Sequence, residues 1–283
     1  MSSTNMLRYP QIDRNLAQRL ERAEVLATVA YVEARRTIQP SYGAGWFQIA
    51  GVHAVFDGAE SPLTQTFGLG TFEPTNAATL DALESFFEVR GVPTAHEVSS
   101  LVASGTWEHL SSRGYTPIEA STVLVRPTAC PPSADTRHAT ARLIKRDEIV
   151  SWSQVMAEGL SSESPELVAV VKDLAPVMAE SEGTYCFVAE VEAKPIASGV
   201  LSLKNGIAVL GGASTIPAAR RQGAQAALLQ ARLEYATELG VDLAMLVAGP
   251  GTSSQRNAER KGFRPAYVRS KWVRPAQARD RTP

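Results

Sequence analysis

The chain has 283 residues, enough for two domains of ordinary size. Hydrophobic residues make up 44% and charged residues 20%, the balance of a soluble globular protein. The formal net charge of −1 lacks the basic excess of a nucleic-acid binder, and two separated cysteines, Cys130 and Cys186, make neither a disulfide framework nor a metal site. At the N-terminus no apolar run follows a basic start, so no secretory signal is expected. The longest nearly apolar stretch, VLATVAYV, is far short of the ~20 residues that cross a bilayer. A cytoplasmic protein is expected, with neither a membrane nor a nucleic acid as partner and no metal.

The first half opens with a predicted long helix from about Ile12 to Arg36, in which Leu16, Leu20, Ala23, Ala27, Ala30 and Ala34 recur at helical spacing. GWFQIAGVHAVFDG reads as strand with a turn at Asp57-Gly58, and PLTQTFGLG as another strand. TNAATLDALESFFEVRG is a marked helix: Thr75 is the candidate cap, Leu80, Leu83, Phe86 and Phe87 form the buried face, and Gly91 stops it. TAHEVSSLV reads as strand, GTWEHLSSRGY as a short helix and PIEASTVLVR as strand.

RPTACPPSADTRH carries three prolines and almost nothing to bury, and reads as a linker. The expected organisation is a domain over 1–128, a linker over 129–137, a second domain over 138–275 and a tail over 276–283. In the second half ATARLIK is a strand, DEIVSWSQVMAEGL and SPELVAVVKDLAPVMAE are helices, and TYCFVAEVEAKPIASGVLSL is a hairpin in which Cys186 reads as a packed thiol. NGIAVLGGAST is a strand, followed by a basic turn and a helix that Gly240 ends. VDLAMLVAG has the apolar pattern of a strand covered on both faces. TSSQRNAERKGF is a short helix and AYVRSKWVR a strand. The two halves end alike, each running helix, strand, short helix, glycine-aromatic (RGY at 113–115, KGF at 261–263) and strand. That weak repeat suggests a duplicated domain, against a chance match of two mixed α/β patterns.

The segment TIPAARRQGAQAALLQARLEYATELG, residues 215–240, concentrates the chemistry. A helix N-terminus presents orphan N–H groups and the positive end of its dipole, which favour an anion. Gly223 removes a side chain from the approach, and Arg220 and Arg221 can bond phosphate oxygens. Ala226, Leu229, Leu233 and Ala236 are the expected stripe against the sheet. The pattern is neither GxxxxGK[ST] nor GxGxxG, which excludes the P-loop and dinucleotide fingerprints. Taken alone, a solvated basic turn is the competing reading.

TIPAARRQGAQAALL resembles the coenzyme A-binding motif of the GNAT acetyltransferase superfamily, a strand followed by Arg/Gln-x-x-Gly-x-Gly/Ala and a helix. Arg220-x-x-Gly223 matches it, and Gln225 is a departure at the last position. S-x-x-N-x-x-R-x-G-F, from Ser254 to Phe263, resembles that family's second motif. The resemblance implies an α/β fold (α+β in the broader sense), with two GNAT-like domains in tandem, each a mixed central sheet flanked by helices. The first would be degenerate, since Glu73 and Pro74 stand where a phosphate turn is needed. Ala213, Ser214 and Thr215 would pair with the pantetheine arm, while Arg220, Arg221, Gln222, Gly223, Ala224, Gln225 and Ala226 would hold the pyrophosphate. Ser254 and Asn257 would lie along the cofactor, against the competing readings of a helix cap for Ser254 and a polar surface residue for Asn257.

The implied reaction is acetyl transfer from acetyl-CoA to an amine, with a small-molecule acceptor and a monomeric or homodimeric enzyme. A backbone N–H near Ser214 or Thr215 would stabilise the oxyanion. Many family members carry a tyrosine acid on the short helix, where this chain has Ala258, and a glutamate base on the fourth strand, where GIAVLGGAST has no carboxylate. Tyr267 is the nearest substitute acid, against a packing role, and His96 is an ordinary strand histidine or faces a shared cleft. A non-catalytic acyl-CoA-binding sensor is the alternative, and a purely structural interaction protein with a decayed motif is a third reading.

Overall fold

The computed structural model describes residues 8–129, 138–161 and 165–275. Cys130, the expected linker beyond residue 129 and the expected tail lie outside them. The chain divides into two compact units. Unit 1 comprises the described part of Met1–Pro10, Leu124–Val247 and Gly262–Arg264; unit 2 comprises Gln11–Val123, Ala248–Lys261 and the described part of Pro265–Pro283. The units therefore do not follow the two halves of the sequence.

In unit 2, helix α1 spans Arg14–Ile38. It starts later than the apolar pattern suggests because the Asp13 carboxylate accepts from Leu16 N–H at 2.8 Å and so caps it. Leu16, Leu20, Ala23 and Ala27 are buried as expected, but the last turns bury Thr28, Tyr31, Val32 and Arg35, with Ala30 and Ala34 half-buried. Arg35 is held there by buried Asp57, at 2.9 Å and 3.2 Å. The stretch read as one strand is a hairpin, β1 (Gly45–Ile49) and β2 (Val52–Phe56). Its turn is Ala50-Gly51, both at positive φ (49° and 75°), the backbone of a tight hairpin. A side chain at Gly51 would start 2.6 Å from Phe72 Cβ.

Strand β3 (Gln65–Phe67) runs parallel to β4 (Thr94–Ser99), with α2 (Ala77–Glu88) as the crossover. The cap of α2 is Asn76, whose Oδ1 accepts from Thr79 N–H at 2.9 Å, and not Thr75. Helix α3 (Thr106–Ser112) and strand β5 (Thr116–Pro127) follow. Leu80, Leu83 and Phe87 of α2 pack with Val98, Leu110 and Tyr115, while Phe86 is only partly buried. The sheet order is β1-β2-β3-β4-β11-β5, so β11 (Arg264–Arg274), the last strand among the described residues, is inserted among first-half strands.

Unit 1 orders its strands β10-β9-β8-β7-β6. These are β6 (Thr140–Leu143), β7 (Thr184–Val191), β8 (Lys194–Lys204), β9 (Ile207–Thr215) and β10 (Leu243–Ala248). One face carries α4 (Ile149–Gly159) and α5 (Pro165–Ala179), whose core joins Trp152, Met156 and Ala175 to Cys186, Val188 and Val200. Burial pushes the Cys186 thiol up to about 12, as for a packed thiol. Helix α6 (Ala224–Glu238) buries Ala224, Ala227, Leu228, Arg232, Leu233 and Ala236. Leu233 and Ala236 match the expected stripe; Ala226 and Leu229 are only half-buried, because the buried face is rotated by one residue in the first turns. Helix α7 (Ser253–Arg260) belongs to unit 2.

Candidate functional site

Strands β9 and β10 pair in parallel from Ile207–Leu243 to Leu210–Leu246. Beyond Leu210, β9 continues along β8 alone. Its partners are Val200 for Gly211 and Ser198 for Ser214, so Gly199 stands opposite both Gly212 and Ala213. This is a one-residue bulge, a device that bends a strand and frees part of its backbone from the ladder. Gly212 takes φ 56° there, and a Cβ on it would lie 2.4 Å from Met156 Cε and 2.7 Å from Val200 Cγ2. Gly211 and Ala213 are exposed beside the place where β9 leaves β10. Ser214 turns inward: its hydroxyl donates to the Met156 carbonyl at 2.9 Å and lies 3.0 Å from Ser198 Oγ.

A short 3-10 turn, Pro217–Ala219, leads into the basic segment. Arg221 is left-handed at φ 68°, a conformation that costs a residue with a side chain on the order of 1 kcal/mol and clusters at functional sites. Gly223 is the N-cap of α6 at φ 88°, which glycine alone adopts without strain. No side chain caps this helix, and its first turn holds no acid. The exposed Arg220 and Arg221 stand immediately before it. Gln225, the departure from the motif, donates through Nε2 to Thr215 Oγ1 at 2.8 Å and so ties the start of α6 to the end of β9.

The remaining predicted residues lie in unit 2. Ser254 and Asn257 are exposed on α7. Thr252, not Ser254, caps that helix, accepting from Gln255 N–H at 3.3 Å. Ala258 is buried. Tyr267 is buried on β11, its hydroxyl donating at 2.8 Å to Glu21 Oε1, which also accepts from Arg269 Nε at 2.8 Å. Arg269 bonds Glu24 as well. Burial raises the Tyr267 and Glu21 pKa values, and it pushes Glu97, opposite Lys271 in the β4–β11 ladder, up to about 7 against the pull of Arg269. His96 is fully buried with Nδ1 2.6 Å from Thr66 Oγ1, and burial lowers it to about 3, so it stays neutral. The sequence reading missed this network, because nothing local pairs Glu21 with residues near 270.

Unit 2 offers a contrast to the β9–α6 junction. Its parallel pair β3–β4 also ends early, at Phe67–Glu97. Past that point the Gly70 carbonyl accepts from Ala103 N–H at 2.9 Å and Arg14 Nη2 at 3.2 Å, and the Thr71 carbonyl from Gln18 Nε2 at 2.9 Å. Asn76 accepts from one N–H, that of Thr79, at the start of the helix that follows. In this unit two carbonyls past the strand pair and one N–H at the helix start are thus bonded to its own residues. Among the described residues no group of three or more His, Cys, Asp or Glu could hold a metal ion, and no helix is long and apolar enough to cross a membrane.

Residues 147–263 match the model of the Acetyltransferase (GNAT) family. A GCN5-related N-acetyltransferase from Kribbella flavida is similar in structure, with a TM-score of 0.65 at 18% identity over 92% of this chain and 96% of that one. A functionally unknown conserved protein from Staphylococcus epidermidis gives a TM-score of 0.61 at 10% identity, over 86% and 97%. A tandem GNAT protein from the clavulanic acid biosynthesis pathway gives 0.56 at 16%, over 81% and 79%. No curated protein matches the chain in sequence. The β9 bulge, the basic turn and α6 therefore lie within the segment that matches the acetyltransferase (GNAT) family model, on a chain with the fold of GNAT proteins.

Proposed function

We propose that the chain is an N-acetyltransferase that moves the acetyl group of acetyl-CoA directly to an amine of a small molecule, and that it is a tandem protein whose first GNAT-like domain is degenerate. The observation that carries the reading is the β9–α6 junction: an opened strand end followed by a helix with no side-chain cap, no acid in its first turn and two arginines before it. In this reading the backbone of Ala213 to Thr215 pairs with the pantetheine arm, and the turn from Arg220 to Ala226 holds the pyrophosphate. Acetyl-CoA is a substrate, supplying the activated thioester.

The protein's own part is to hold that thioester beside the amine and to stabilise the oxyanion with an N–H at the end of β9. The amine loses a proton on attack and the thiolate gains one. Tyr267, the acid suggested by its sequence position, has its hydroxyl bonded to buried Glu21, which favours a packing role. Buried Ala258 and the carboxylate-free β9 favour a second reading, an acyl-CoA sensor without turnover. Calorimetry with acetyl-CoA, followed by an amine-library screen for thiol release, separates the two. Binding with release supports the enzyme, and binding without release from any amine supports the sensor. No binding removes both.

A further inference from the structure

Arg232 is the residue that the function as described leaves unused. It lies on α6, 3% exposed, where an apolar residue would suit the stripe between Leu228 and Ala236. Its guanidinium bonds only main-chain carbonyls: Nε donates to Leu228 O at 3.1 Å, and Nη1 donates to both Val200 O and Gly211 O at 3.1 Å. Burial lowers its pKa to about 10, and among the described residues no carboxylate offsets that burial. A buried charge without an ionic partner is expensive, so its placement calls for a reason.

Val200 and Gly211 are the cross-strand pair at which the β8–β9 ladder resumes beside the bulge. Gly199 makes room for the guanidinium, since a Cβ there would lie 3.1 Å from Arg232 Cζ. The adjacent carbonyl, of Gly212, accepts from Ser198 Oγ at 3.3 Å, so it too is held from β8. A trans peptide is planar, and its N–H points opposite to its C=O. The Gly211 carbonyl is held toward Arg232 and the Gly212 carbonyl toward Ser198, so the N–H groups of Gly212 and Ala213 point away from those side chains, on a stretch of β9 that has already left β10.

We propose that Arg232 is a positioning residue of the acyl-donor site: by clamping the carbonyls of Val200 and Gly211 it aims the amides of the β9 bulge at the pantetheine arm of the donor. The proposal rests on the acyl-CoA reading of the β9–α6 junction. It divides that site in two, because the nucleotide end of the donor is held by the Arg220–Ala226 turn, which Arg232 does not touch.

The test is calorimetry on the full chain with two probes, acetyl-CoA and adenosine 3′,5′-bisphosphate, which lacks the pantetheine arm. Arg232→Met is expected to weaken acetyl-CoA about tenfold, equivalent to one charge-assisted hydrogen bond, and to leave the bisphosphate within about twofold. Arg232→Lys, which keeps the charge but not the fork, should fall between them. Gly199→Ala, which pushes on the guanidinium from the far side, should weaken acetyl-CoA in the natural background and add little to Arg232→Met, as coupled residues do. Equal loss of both probes in Arg232→Met, or acetyl-CoA affinity unchanged, overturns the positioning role. If the unmodified protein binds neither probe, the acyl-CoA reading itself fails, which is a separate outcome.

Discussion

Replacing Gly159 with alanine tests how the end of β9 is braced. Gly159 ends α4 against the end of β9, and a methyl there would lie 2.4 Å from Ser214 Oγ, 2.6 Å from Ser214 Cβ and 2.9 Å from the Thr215 backbone nitrogen. Carbon atoms pack best at about 3.5–4.0 Å, so something must move by about 1 Å. Ser214 cannot rotate away without giving up its bonds to Met156 O and Ser198. Overpacking of this kind costs about 1–3 kcal/mol, and a lost buried hydrogen bond adds about 1 kcal/mol. Alanine's better helix propensity offsets roughly 1 kcal/mol. The net expectation is a loss of about 1–3 kcal/mol, or a Tm lower by ~2–10 °C for a domain of this size, measured by calorimetric melting. The shift also displaces Ser214 and Thr215, so acetyl-CoA affinity should drop with stability. In a Ser214→Gly background two of the three contacts vanish, and the same alanine should cost markedly less. A Gly159→Ala protein as stable as the natural one would show that helix propensity outweighs the contact, and the bracing argument would be wrong.

Gly223→Glu, which adds a strained side chain and a like charge at φ 88°, should abolish measurable acetyl-CoA binding while circular dichroism stays native; retained affinity would remove the turn from the site. One acetyl-CoA per chain is expected, because the Gly70 and Thr71 carbonyls are already bonded to Ala103, Arg14 and Gln18; a titration reaching two per chain would contradict this. Tyr267→Phe should lower stability by about 1 kcal/mol through its lost bond to Glu21 and leave turnover within about twofold, whereas a ~10²-fold fall in turnover would make it the acid. Glu97, raised from an ordinary carboxyl value to about 7, destabilises the fold once ionised. Its neutral form gives stability that is complete below about pH 4.5 and is lost as pH rises through about 7. Glu97→Gln should therefore flatten the fall in Tm between pH 5 and pH 8, worth roughly 1–3 kcal/mol; an unchanged slope would place the titration elsewhere.

The order of strands and helices was legible in the sequence because periodicity and capping are local. Apolar spacing marks α1, α2 and α4, and the strand–turn–helix around Arg220 and Gly223 is carried by adjacent residues with glycine where φ turns positive. The resemblance of that turn to a coenzyme A motif needed only those residues and their spacing. The hairpin turn at Ala50-Gly51 escaped notice because alanine is a poor signal for a left-handed position, and the glycine is fixed by Phe72, far along the chain. Composition also cannot say which strands become neighbours. β11 reads as a sound strand wherever it pairs, and only long-range hydrogen bonding places it beside β4, where it brings Tyr267 and Arg269 to Glu21. Arg232 shows the same limit at a single residue. On a helical wheel it is an arginine interrupting an apolar stripe, and the carbonyls that make its burial tolerable belong to β8 and β9, which meet it only after the sheet has formed and β9 has bulged at Gly212.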